Sequence, residues 1–352
     1  MINWHESMEQ TYEFYKVDPN SWRDSERITT ITSCTITRDA SNSTLGSVSI
    51  SMTEDIGECY IRVYLVANQN EERRKFALGT FLIQTPHVNF DGKCVSISVD
   101  GYTPLIELKN SKPPIGYSLL KGQPIMNAVS LIAIEHLRAP VVMTDSSHTL
   151  EADFVSSLDE DWLTFTTDLM TSAKFSYMID EMGNVMFQPD QNTSSLQPVY
   201  TYTDDNSSIL YPSFKDERDL YGIPNVVEVV YSSSLGYRFS RIVNDDENSI
   251  VSTKSRGREI VHRETNPKFA GVPTQDMLDA YATQLLKSLS SLSHKITYSH
   301  AFNTTRIGDC VVLNYTRAGI RNVKARIISQ SIKCTTGCSI QETAVYTTKL
   351  WR

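Results

Sequence analysis

The alternation of apolar and polar positions changes period twice between Asp159 and Pro189. Trp162, Phe165, Leu169 and Ala173 recur at helical spacing behind the acidic run Asp159, Glu160 and Asp161, which suits the positive end of a helix, and Asp159 is the expected cap. After Lys174 the period drops to two: Phe175, Tyr177 and Ile179 alternate with Ser176 and Met178. Glu181-Met182-Gly183-Asn184 forms the turn, with Gly183 free to take positive φ, and Val185, Met186 and Phe187 return as a second strand stopped by Pro189. The pattern predicts a helix-and-hairpin unit in which Trp162 is buried against the strands carrying Tyr177 and Phe187.

From Trp22 to about Leu108, short runs rich in Ile, Val, Thr and Tyr alternate with turn residues: Ile28–Arg38, Leu45–Met52, Tyr60–Ala67, Phe76–Val88 and Val95–Val99. That is the signature of an antiparallel barrel or sandwich. Asn68 to Arg74 reads as a polar hairpin tip, either simply solvated or in contact with a neighbouring subunit. Lys112-Pro113-Pro114 and Lys121-Gly122-Gln123-Pro124 punctuate a linker, and Pro124 opens a helix to about Arg138 with Ile125, Val129, Ile132, Ala133 and His136 on one face. His136, near that helix's C-terminus, suits the dipole better than a ligand role. From about Tyr200 the β pattern returns. Asn225–Tyr231 is its clearest strand, followed by a helix capped by Thr274 with an apolar stripe of Met277, Leu278, Tyr281, Leu285, Leu289 and Leu292. Strands then follow over Ile296–Phe302, Gly308–Tyr315, Val323–Lys333 and Ser339–Thr347, with Gly319 and Gly337 in turns.

The 352 residues predict two or three domains with ample core. Apolar residues make up 40% and charged residues 21%, without an apolar run long enough to span a bilayer, so no membrane partner is expected. The start MINWHESMEQTYEFYK lacks the basic and apolar stretches of a secretory signal, and cytoplasmic synthesis is expected. A net charge of -8 argues against a general nucleic-acid binder. Cys34, Cys59, Cys94, Cys310, Cys334 and Cys338 sit mostly inside strand-like runs, as reduced, buried small hydrophobes do.

Candidate chemistry is sparse. Phosphate-binding Gly loops, His-Glu-x-x-His, Gly-x-Ser-x-Gly and Cys-x-x-Cys are missing from the sequence. Cys334 and Cys338 flank a Thr-Thr-Gly turn and are either half a zinc site or facing residues of a hairpin. His294 and His300 bracket the end of a helix and a strand. Asp159, Glu160 and Asp161 are adjacent, whereas a glycosidase pair must face across a cleft. Asp245-Asp246-Glu247-Asn248 lacks the ligand rhythm of a calcium loop and reads as a solvated hairpin tip. Catalytic, cofactor and metal residues are accordingly expected to be none.

The order of these segments carries a resemblance. The helix and Gly183 hairpin, the Asn225–Val229 strand, the helix with Asp276-Met277-Leu278, Tyr281-Ala282 and Leu285-Leu286, the Arg306-Ile307-Gly308-Asp309-Cys310-Val311-Val312-Leu313 strand and the closing pair over Ala325 to Val345 follow one another. In that succession the chain resembles the tail hub proteins of contractile and some flexible-tailed phages and of phage-tail-like bacteriocins. The resemblance covers essentially the whole chain. It implies a mixed, β-rich α+β fold: a tube-like antiparallel β-barrel over 1–108, a small α/β middle domain over 109–198, and a second barrel over 199–352 with a helix at 274–292. It further implies a structural protein of the virion tail baseplate, assembled in the host cytoplasm. A homotrimer would form a pseudo-sixfold ring between a sixfold tail tube or distal tail protein and a threefold central spike or tip, with the tape measure protein a further partner. DNA would pass through its lumen without specific binding. Acids lining such a lumen would repel phosphates, and Glu54, Asp55 and Glu58, read as hairpin acids, and Asp245, Asp246 and Glu247 are the candidates; the alternative is that the charge serves solubility. Some family members carry a fused peptidoglycan hydrolase or fibre segment; the sequence departs from that branch by ending at Arg352, which puts wall-degrading activity in doubt. A tail-associated peptidoglycan hydrolase and a carbohydrate-binding β module stay open as alternatives.

Overall fold

The computed structural model describes residues 2–351 except Asp91, Cys94, Ser207, Ser234, Leu235, Lys268, Ala270 and Gly271. Cys94 therefore lies outside the described residues. Contacts gather into two units, Met1–Phe214 with Tyr298–Ala344, and Lys215–Thr297 with Val345–Arg352. These divisions fall at other places than the three-part reading.

The architecture is β-rich, with large antiparallel sheets and few helices. The main sheet begins at Asp24–Ile28 and passes through Glu9–Val17, Cys59–Gln69, Glu72–Phe90, Val95–Tyr102, Gly46–Met52 and Ile31–Asp39 to Val323–Lys333 and Ile340–Lys349. Beyond these come Ser291–His300 and Leu210–Arg218. Cys310–Asn314 branches off Val323–Lys333, and Tyr200–Thr203 pairs with it in parallel. Among the described residues this path has two ends. Within this sheet two strands precede the first expected run at Ile28: Glu9–Val17, where aromatic and charged residues interleave, and Asp24–Ile28, which is charged up to its last residue. Buried residues of the first strands, including Phe14, Ile36, Ile50, Ile61, Val63 and Leu65, share one apolar cluster with Phe302, Ile332, Cys338 and Ile340. Residues far apart in the chain thus fill one core.

The helix-and-hairpin unit forms at Trp162–Ser172 with strands Phe175–Ile179 and Val185–Pro189. Its cap is Asp161 rather than Asp159. The Asp161 backbone is extended, and its carboxylate accepts the Thr164 amide at 2.7 Å, while the Asp159 side chain is exposed near Lys112. Trp162 is buried as expected, in the same cluster as Tyr177 and Phe187, but its ring meets Tyr117, Phe165 and a stacked His136 at 4.8 Å. Tyr177 and Phe187 pair with each other across the hairpin. The preceding helix is Ile125–His136, buried through Ile125, Met126, Val129, Ile132 and Ala133.

In the smaller unit, Val226–Ser233 pairs antiparallel with Gly236–Val243 and parallel with Val261–Thr265. Thr274 caps the helix Gln275–Leu289, accepting from the Met277 amide at 3.3 Å. Its buried face is Leu278, Ala282 and Leu286, spaced four apart and packed on Val227 and Val229, while Met277 is half exposed. The helix stops at Leu289, short of the expected 292. Leu292 already belongs to the strand Ser291–His300, because the pattern of period two begins there.

Candidate functional site

The turn of the middle hairpin is gripped by the main sheet. Asp180 accepts the Asn184 amide at 2.8 Å and its side-chain amide at 2.7 Å, which closes the turn, and Gly183 takes φ +82. The Met182 carbonyl accepts from Trp22 Nε1 at 2.8 Å and from Arg62 Nη2 at 3.0 Å, and the Glu181 carbonyl from Thr80 Oγ1 at 3.1 Å. A Cβ on Gly183 would lie 2.9 Å from Thr80 Cβ and 3.0 Å from the Trp22 ring. Arg62 is the centre of this grip. It is 1% exposed, and it donates to Thr80 Oγ1 at 2.9 Å, to Asp24 Oδ1 at 2.7 Å and to the Trp22 carbonyl at 3.3 Å as well as to Met182. A guanidinium cannot shed its charge, so burial requires this full set of acceptors.

The Glu181 carboxylate faces the other way, between Arg306 Nη2 at 2.6 Å and Arg38 Nη2 at 3.3 Å. Burial lowers the proton affinity of Arg38, opposed by the charge of Glu181 and assisted by Arg306. Arg38 also donates to the Leu78 carbonyl and, at 3.0 Å, to Gln330 Oε1. Behind this contact lies a cavity of about 260 Å³ lined by Tyr177, Ile179, Gln188, Arg38, Arg306 and Arg326 among others.

Gln330 leads to a second buried centre. Its Nε2 donates to Glu342 Oε1 at 2.6 Å and to the Thr305 carbonyl at 2.8 Å. Glu342, Gln330 and His300 are all fully buried. Tyr298 and Thr305 donate to the Glu342 carboxylate at 2.7 Å, Tyr202 donates at 3.3 Å, and His300 Nε2 lies 3.4 Å away. Burial raises the Glu342 pKa, but the hydrogen bond and charge of His300 and the bonds from Tyr298 and Thr305 outweigh it, so the carboxyl sits below its usual range. Burial and then the Glu342 charge push the Tyr202 and Tyr298 phenols up, which keeps both as donors. Glu181, Arg38, Gln330 and Glu342 thus form one polar chain from hairpin to closing strand. Its acids and bases are spent on holding backbone segments together, and Glu342 and His300 are closed to solvent.

The sequence candidates fall elsewhere. His294 and His300 share one strand but not one site: His294 lies 3.2 Å from Asp216 and stacks on Tyr346, in the smaller unit. Cys334 and Cys338 flank the turn between the last two strands, and all five described cysteines are free thiols. Among the described residues, no group of three or more His, Cys, Asp or Glu is gathered to hold a metal. Glu54, Asp55 and Glu58 are exposed, but not in a hairpin: Gly46–Met52 pairs with Val95–Tyr102 and Cys59–Gln69 with Glu72–Phe90, so the acids lie in a crossover link. Asp245, Asp246 and Glu247 likewise follow the hairpin rather than cap it, in a loop where Asp246 accepts the Asn248 amide and Glu247 pairs with Lys254. The tip at Asn70 and Glu71 is a two-residue turn with both φ positive, and Arg73 beside it pairs with the buried Glu13 at 2.7 Å. None of these pointed to Arg62 or Glu342. Arg62 stands out only as a charge inside the buried run Tyr60 to Ala67, and Glu342 by sharing strand parity with buried Ile340 and Ala344.

No protein-family model matches the chain, and no curated protein matches it in sequence. Solved structures do. A tail protein from Neisseria meningitidis superimposes with a TM-score of 0.63 at 12% identity, covering 96% of both chains. A prophage 43 kDa tail protein from Shewanella oneidensis gives 0.60 at 11%, covering 96% of this chain and 98% of that one. The chain has the fold of phage tail proteins. An E. coli component of the type VI secretion system, itself similar in structure to T4 bacteriophage tail proteins, gives 0.50 at 11% over 90% of this chain and 73% of that one. Among the described residues, no helix is long and apolar enough to cross a membrane.

Proposed function

We propose that this chain is a structural hub of a phage-type tail, three copies of which close into a pseudo-sixfold ring between a sixfold tube and a threefold spike. The observation that carries the reading is the end-to-end likeness in fold to tail proteins, which spans 96% of the chain. Its parts are a tube-like N-terminal domain over 1–108, a middle domain over 109–198 and a second tube-like domain over 199–352. A heterologous contact must close or polymerise, and two similar domains per chain let three chains offer six edges. The role is geometric rather than catalytic, which agrees with a polar chain buried to join strands. The partners are the tail tube or distal tail protein, the spike or tip, and the tape measure protein, in a virion baseplate assembled in the host cytoplasm and traversed by DNA that the hub does not bind specifically. Native mass spectrometry of the hub purified with its tube or spike partner tests the stoichiometry. Three copies of the 39.7 kDa chain per complex are expected; one or six would refute the ring.

A further inference from the structure

Two thiols face each other where the early and late strands of the chain meet. Ile332 registers with Ile36 and Lys333 with Thr35 in an antiparallel pair. The next step sets Cys334 opposite Cys34, and the Cys334 amide donates to the Cys34 carbonyl at 3.0 Å. Directly opposed residues of an antiparallel pair stand about 4.5 to 5.5 Å apart at Cα and project from the same face. A disulfide spans Cα separations of about 4.4 to 6.8 Å, so the backbone already holds the pair at bridging distance. Cys34 is buried and Cys334 half-buried, in the same apolar cluster, and both are free thiols.

We propose that Cys34 and Cys334 are an oxidation site that closes into a cross-strand disulfide, tying the N-terminal strands to the closing strands of the larger unit. The half-buried Cys334 reacts first. Against an azodicarbonyl oxidant such as diamide, its thiolate adds to one N=N nitrogen and the other nitrogen takes a proton. The Cys34 thiolate then attacks Cys334 Sγ, forming the S–S bond and expelling the nitrogen anion, which is protonated. Two thiols lose two electrons and two protons, and the azo group becomes a hydrazine. The hydrogen bond that the Cys334 thiol gives to Cys34 and its burial both push that thiol well above its usual range, so closure is slow at neutral pH and quickens as pH rises. Cys338 is the competing partner. It sits in the same turn with φ +39, and burial pushes its thiol up to about 12, with a bond to Tyr12 acting against this.

Incubating the full chain with diamide should lower its intact mass by about 2 Da and yield a Cys34–Cys334 linked peptide on non-reducing digestion. The bridge closes a very long loop, so the thermal midpoint should rise by about 5 °C and return when dithiothreitol is added. Cys334→Ser should abolish both changes, whereas Cys59→Ser should keep them. A Cys334–Cys338 bridge in the digest, or an unchanged mass in wild-type protein at a pH where iodoacetamide labels Cys334, overturns the proposal.

Discussion

Two buried charges of the larger unit, the Arg62 guanidinium and the Glu342 carboxylate, are held differently. Arg62 is surrounded by oxygens, only one of which, Asp24 Oδ1, belongs to a carboxylate. Glu342 is surrounded by hydroxyls, an amide and an imidazole. A guanidinium stays charged at any pH a protein survives, so the Arg62 grip depends on acceptors being in place and not on titration. A carboxylate can take a proton, so the Glu342 nest responds to acid. The first centre fixes the middle hairpin on the sheet permanently; the second fixes the closing strand conditionally.

Removing the Arg62 head breaks the comparison on its strong side. Arg62→Met removes the guanidinium's bonds to Asp24, Thr80 and the Trp22 and Met182 carbonyls and should cost about 3 to 5 kcal/mol in denaturant titrations, by nearly the same amount at pH 5 and pH 8. A loss under 1 kcal/mol would mean that the hairpin is held by packing alone.

The Glu342 side is sharpened by pH. Its folded pKa is depressed below the ordinary 4.5. The stability it contributes is therefore fully present above about 4.5 and is lost as pH falls through the folded value. Glu342→Gln should cost about 2 to 3 kcal/mol at pH 7, because four donors lose a charged acceptor, and should flatten the decline in stability below pH 4.5. If the variant keeps the wild-type acid slope, the response belongs to other carboxylates. Gly183 tests the closeness of hairpin and sheet with a smaller effect. Gly183→Ala should cost about 1 to 2 kcal/mol, through positive φ and the contact with Thr80, and less in a Thr80→Ser background if crowding is the cause.

These centres also mark where the sequence stopped being readable. The helix Trp162–Ser172, its hairpin and the strand Val323–Lys333 are local: period and turn residues lie within a dozen positions and specify them. Asp161 took the cap from Asp159 because three adjacent acids leave the first helical residue undetermined. The strand order is not local. Gly46–Met52 and Cys59–Gln69 adjoin in sequence but pair with different neighbours, and so the acids between them were misplaced in a hairpin. Arg62 and its acceptor Met182 stand 120 positions apart, and Gln330 and Arg38 stand 292 apart. Periodicity gave Arg62 a place in a strand without revealing what would neutralise it.

The hub ring is the claim on which the functional account rests. A reconstruction of an assembled tail tip that contains this chain tests it most directly. The account predicts three copies around the axis, each presenting two β-rich edges to the tube side. One copy, six copies, or three copies contacting the tube through a single edge each would contradict it.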